Sequence, residues 1–253
     1  MAMRKQRLVG LGLEVGITLA ILAAIWMLTA DSTSPYVPPF SEVLKVFRET
    51  WLFADFGTDV VPSLIRLFVG FGIALALGVP IGLLLGTSWT VRMLATPVVT
   101  FVRSIPPPVL IPVAIVIFGI GDMMKIAVIG FVCIWPIALN VQDGVLGLDR
   151  MLSETADAYQ LTRVDRLRYV LLPGVAPRIF AGARISIALA LLMLVVAEML
   201  GSTDGIGFYV MNAEQSYAIP QMWAGVLLLG LLGFGLNALL EVGERRILAW
   251  KQN

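Results

Sequence analysis

The sequence predicts an all-α, polytopic membrane protein of about six transmembrane helices, with one long polar loop between the fourth and the fifth. Three observations carry this reading. The 253 residues are 58% hydrophobic and only 14% charged, with a mean hydropathy of +0.90, whereas a soluble domain carries about a quarter charged residues. The apolar residues gather into runs of bilayer-crossing length. One polar stretch, residues 147–178, interrupts them in the earlier part of the second half. No polar stretch is long enough to build a separate soluble domain. The chain therefore reads as one transmembrane domain over 1–253, with 147–178 as a loop within it.

Taken in order, Arg4, Lys5 and Arg7 precede an apolar run over 8–30. That run is too long for the core of a cleaved signal and reads as the first span. Residues 41–53 then fit a short surface helix with Val43, Leu44, Phe47 and Trp51 on one side. The second span, 62–88, contains a single charge, Arg66, and the small-residue series Gly78, Gly82, Gly86. That series either allows a close helix contact or reflects the ordinary glycine content of membrane helices. The third stretch, 92–120, is broken at Arg103-Ser104-Ile105-Pro106-Pro107-Pro108 and again at Pro112, because prolines lack the amide hydrogen a helix needs. The fourth span covers 125–145, with Asp122 and Lys125 marking a short turn before it. The fifth covers 179–200 and the sixth 221–240, separated by a loop over 201–220 that holds Gly205-Ile206-Gly207-Phe208.

The loop 147–178 fits two short helices. Met151, Leu152, Thr155, Ala156 and Tyr159 fall at helical spacing. Thr162, with Asp165 three residues later, is a start signal for the second. Leu161, Val164, Leu167, Val170 and Leu171 give that helix an apolar face, with Arg163 and Arg166 outside it, and Pro173, Gly174 and Pro177 are expected to stop it. Charge bias sets the sidedness. Twelve of the 18 Lys and Arg residues fall on the side of this loop and the two termini, three on the other side, and three in or at the ends of spans. By the positive-inside rule the loop and both termini are cytoplasmic.

Composition also excludes functions. There is no histidine and a single cysteine, Cys133, in an apolar run. An intrachain disulfide is impossible, and a zinc or haem site of the usual ligands has nothing to build on. A Ser-His catalytic pair cannot exist. No G-x-x-x-x-G-K-[ST] phosphate loop occurs, so the chain does not bind ATP by that route. Nothing in the net charge of +1 points to nucleic acid.

One motif in the loop narrows the field. Glu154-Thr155-Ala156, Gln160, Val170 and Leu172-Pro173 resemble the Glu-Ala-Ala signature of ABC-importer permeases. Thr155, Gln160 and Val170 depart from it, and Gln160 stands where the family has a flexible glycine. The resemblance extends to 62–86, to 103–121 with its Phe-Gly-Ile-Gly end, to Ala197-Glu198-Met199 and to 205–208. These stretches are similar to the taurine, sulfonate and nitrate type of permease, whose cargoes also include bicarbonate, aromatic acids and pyrimidine-like vitamin precursors.

The resemblance implies a permease in the cell inner membrane that carries a small anion and has no ATPase site or cofactor of its own. ATP and Mg belong to partner ATPase subunits. Loop 147–178 becomes a cytoplasmic coupling-helix loop, with Glu154, Ala156, Gln160, Leu172 and Pro173 as the coupling residues. A periplasmic or lipid-anchored substrate-binding protein docks at Gly205, Gly207 and Phe208, and a second copy of the chain completes the path. Arg103, Ser104, Arg184 and Glu198 are candidates to line that path. Each has a plainer role too: Arg103 bonding carbonyls freed at the proline break, Arg184 anchoring its span, Glu198 sitting at the interface. The alternative, an ion-coupled secondary transporter or channel, needs acidic residues at membrane depth. Asp143, Glu198 and Glu241 sit near span ends, and that alternative leaves the loop unexplained.

Overall fold

The computed structural model describes residues 26–30, 32, 34–51 and 55–248. The expected first span lies almost wholly outside them, as does Lys251. The elements among the described residues are helical. They are α1 (Phe40–Glu49), a π turn (Phe56–Val60) leading into α2 (Val61–Thr87), α3 (Trp89–Ser104), a 3-10 turn (Pro107–Val109), α4 (Leu110–Phe118) and α5 (Asp122–Leu146). After the loop helices α6 (Arg150–Ala158) and α7 (Arg163–Arg166) come a second π turn (Leu167–Leu171), α8 (Leu172–Gly201), α9 (Ile206–Gln215) and α10 (Ile219–Ile247). Four of the helical runs are long and apolar enough to cross a membrane, and a fifth span arises if α3 and the 107–118 segment, bent by 85°, count as one.

The bundle is built on α5, which packs along α2 on one side and α8 on the other. Lipid tails are as apolar as leucine, so close packing rather than hydrophobic exclusion must hold such helices together. The α2 glycines supply that closeness. A methyl group placed on Gly82 would lie 2.4 Å from the Ala138 carbonyl oxygen, and one on Gly86 2.5 Å from Val145 Cβ. Of the two readings of the glycine series, the structure selects the close contact. Between α5 and α8 the link is reciprocal: Ser186 Oγ donates to the Cys133 carbonyl (2.9 Å), and Cys133 Sγ donates to the Ser186 carbonyl (3.2 Å). Cys133 is thus a packed core residue. Helix α1 lies against α10, where the buried Trp51 just beyond it donates Nε1–H to the Ala224 carbonyl (3.2 Å) and packs edge-on to Tyr209.

The sequence misleads at four places. Pro112 does not interrupt, because it falls in the first turn of α4 where no amide hydrogen is required. Pro173, Gly174 and Pro177 do not stop the chain's helical course: Pro173 occupies the first turn of α8, and the run 163–201 is one long helical segment. Asp122 and Lys125 belong to the first turn of α5, and Lys125 is buried. Half of the 201–220 segment is the helix α9.

Candidate functional site

The loop 147–171 folds as an elbow beyond the ends of α2 and α5. Asp149 caps α6 by accepting from Met151 N (2.9 Å). Thr162 caps α7, accepting from Asp165 N (3.2 Å) while its hydroxyl donates to Asp165 Oδ2 (2.6 Å), as its spacing foretold. Between them the chain turns at Gln160, whose φ of +51° is left-handed. Leu161 N bonds the Ala156 carbonyl (3.1 Å) and Gln160 N the Asp157 carbonyl (3.0 Å), the bond pair of a Schellman helix end. The glycine position of the motif is therefore a backbone requirement, and Gln160 meets it at a cost of about 1 kcal/mol.

The elbow's side chains sort by direction. Arg166 ties the two loop helices together through Asp157 Oδ1 (2.8 Å) and Ser153 Oγ. Ala156 is buried against this chain, and Leu172 and Pro173 are half-buried. Glu154 is exposed and held by Arg150 Nε (2.7 Å). Met151, Tyr159, Val164 and Tyr169 are exposed as well, each by more than 60%. The apolar face expected over Leu161–Leu171 is thus only partly covered. Apolar groups left exposed together on a charged loop are a candidate contact surface.

Along the bundle, the proline break ends α3 at Ser104, whose hydroxyl turns back to the Thr100 carbonyl (2.9 Å). Arg103 beside it is exposed and makes no hydrogen bond or ion pair among the described residues. It borders a cavity of about 570 Å³ reaching Phe131, Trp135, Asn140 and Asp143 of α5 and Leu189 of α8. It also borders a smaller one of about 180 Å³ with Thr96, Thr100 and Gln142. Arg184 lies apart, donating to Glu244 Oε2 on α10 (2.8 Å).

The end of the bundle opposite the elbow holds a cluster that sequence reasoning missed. Arg66, near the start of α2, is 3% exposed. It donates to Asp122 Oδ1 (2.7 Å), Glu198 Oε1 (2.8 Å) and Asp204 Oδ1 (2.6 Å). Glu198 is wholly buried and also accepts from Ser63 Oγ (2.7 Å) and Gly207 N (2.9 Å). Ser63 Oγ in turn accepts from Ile206 N (3.0 Å), and Asp59 accepts from Gly205 N (2.7 Å). Lys125 Nζ donates to Ser202 Oγ (2.8 Å). Burial raises the pKa of the Asp204 carboxyl, but the hydrogen bond and charge of Arg66 outweigh it and hold that pKa below the ordinary value. Burial pushes the nearby Tyr209 hydroxyl upward.

The 205–208 motif is explained by this cluster. Gly205 has φ +106°, and a side chain there would sit 2.5 Å from the Glu198 carboxylate. Gly205 and Gly207 are buried and Phe208 is half-buried. The sequence did carry one sign of the cluster, a lone arginine in an otherwise uncharged span, which needs a partner.

Comparison with known proteins agrees with this architecture. A chain of the MetNI methionine ABC transporter, solved in inward-facing conformations, superposes with a TM-score of 0.68 at 23% identity, covering 75% of this chain and 94% of that one. The taurine transport system permease protein TauC of Escherichia coli is 30% identical over 94% of this chain and 89% of its own length. The nitrate import permease protein NrtB of Leptolyngbya laminosa is 30% identical over 95% and 89%. Residues 78–249 match the family described as the binding-protein-dependent transport system inner membrane component. A multi-pass helical bundle with this match over most of its length belongs to that family, the permease subunits of ABC importers.

Proposed function

We propose that this permease imports a small organic or inorganic anion and that the elbow is where ATP hydrolysis on a partner ATPase drives it. The observation that carries the reading is the exposed apolar set Met151, Tyr159, Val164 and Tyr169 on a charged loop beyond the spans. Such groups reward burial against a protein. In this reading the loop and both termini face the cytoplasm, as the distribution of Lys and Arg favours. Glu154, Ala156, Gln160, Leu172 and Pro173 shape and orient the coupling surface. ATP and Mg act on the ATPase, and this chain supplies only the motion of packed helices.

At the opposite end, a substrate-binding protein delivers cargo to the surface around Phe208, above Gly205 and Gly207. Two copies of the chain enclose the path. Arg103 and Ser104 offer the path a cation and a hydroxyl. Arg184 and Glu198 contribute through their ion pairs, which set how α8 stands against α10 and α2. The relatives named for taurine and nitrate transport support a cargo with an acidic, negatively charged group, as does Arg103, which has no partner among the described residues.

The test is Glu154→Lys. It should abolish uptake and co-purification with the ATPase while the variant still inserts in the membrane at normal level. Normal co-purification of the ATPase would overturn the docking role of the elbow.

A further inference from the structure

We propose that the cavity between the end of α3 and helices α5 and α8 is a subsite for organic anions, sulfonates or carboxylates with an apolar or aromatic body, and that Trp135 selects them over smaller anions. This rests on the reading that Arg103 lines the substrate path. Three observations point to it.

The volume is about 570 Å³, many times the ~30 Å³ of a single water and well beyond what a four-atom oxyanion fills. A volume of this order suits a small organic molecule. The charge is placed for an acid: Arg103 has five N–H donors, borders the cavity and has no partner among the described residues. The opposite wall is aromatic. Phe131 and Trp135 meet edge to face with ring centroids 5.8 Å apart, and Leu189 extends the apolar lining. Trp135 lines the cavity with its ring, its own Nε1–H buried and without an acceptor among the described residues. Asp143, the carboxylate on the lining, repels an acid group placed near it and so leaves the Arg103 side as the place for that group.

The chemistry is therefore a single acid group on Arg103 and an apolar body against Trp135. A small inorganic ion would satisfy the first and leave the second empty. An aryl sulfonate satisfies both.

The full-length chain in lipid nanodiscs tests this by titration with benzenesulfonate, methanesulfonate and nitrate. Benzenesulfonate should bind about tenfold tighter than methanesulfonate, as an added apolar group in a fitted pocket gives, and nitrate should not displace it at equal ionic strength. In Trp135→Ala, or in Trp135→Leu if truncation destabilises the fold, the ratio of the two sulfonate affinities should fall toward one. A merely structural loss would weaken both probes alike and leave their ratio unchanged, which overturns the proposal. Nitrate displacing benzenesulfonate also overturns it. Arg103→Gln should weaken both sulfonates together. If Arg103→Gln lowers affinity while the Trp135 variants keep the ratio, the path reading stands and the selectivity assignment fails. If Arg103→Gln changes neither affinity, both fail.

Discussion

The two ends of this helix bundle treat charge in opposite ways. At one end Arg66, Glu198, Asp122 and Asp204 are joined by short bonds, and the two central members are sealed from solvent. At the other, the Arg150–Glu154 pair is largely exposed, and the surrounding apolar side chains stay uncovered. A satisfied, buried network fixes one arrangement, because any unpaired member would be left charged in a low-dielectric interior. A solvated pair contributes little and is free to exchange partners. The first end is satisfied within the chain, and the second leaves its apolar side chains uncovered.

Breaking the sealed end should have the largest effect. Arg66→Met strands Glu198 as a buried charge and should cost roughly 3–5 kcal/mol, read as a large drop in thermal midpoint of the detergent-purified chain. A midpoint within a degree of the parent would mean that the cluster contributes no net stability.

Gly205→Ala attacks the same end through the backbone. It forces a side chain onto a left-handed residue and against the Glu198 carboxylate, and should cost roughly 1–3 kcal/mol in the same melting measurement. At the open end the sign reverses. Gln160→Gly relieves a left-handed side chain and should stabilise the elbow by about 0.5–1 kcal/mol, seen as slower amide exchange across 150–166. Faster exchange there would show that the Gln160 side chain holds the turn by contacts of its own.

The smallest effect belongs to Arg150 and Glu154. A double-mutant cycle on this exposed pair should return a coupling under about 0.5 kcal/mol, well below the loss at Arg66. Equal coupling at the two pairs would erase the distinction between the ends.

Most of the bundle was legible in the sequence because membrane spans announce themselves by composition. The loop helices were legible because Thr162 and Asp165 make a local start signal. The α2 glycines could be read only as a pair of alternatives, since their partner surface on α5 lies more than fifty residues away. Arg66 and Glu198 are 132 residues apart, and no local pattern links them. Each alone looks like a charge near a span end, so Glu198 reads as a path-lining or an interfacial residue without its partner. The prolines after the loop misled for a simpler reason. Proline breaks a helix in its interior but starts one well, and nothing in 167–178 alone says where the first turn of α8 falls.

Helix α8 gives the contrast between the ends a mechanical meaning. Its 30 residues make a rod of about 45 Å at 1.5 Å per residue, rooted in the elbow at Leu172 and tied near its tip to α2 through Glu198. A tilt applied at the root swings the tip, and the ion cluster there obliges α2 and the 202–207 segment to swing with it. The strut runs unbroken from the elbow to the ion cluster, packed on α5 at its root and tied to α2 at its tip, so one rigid element joins the two ends of the bundle.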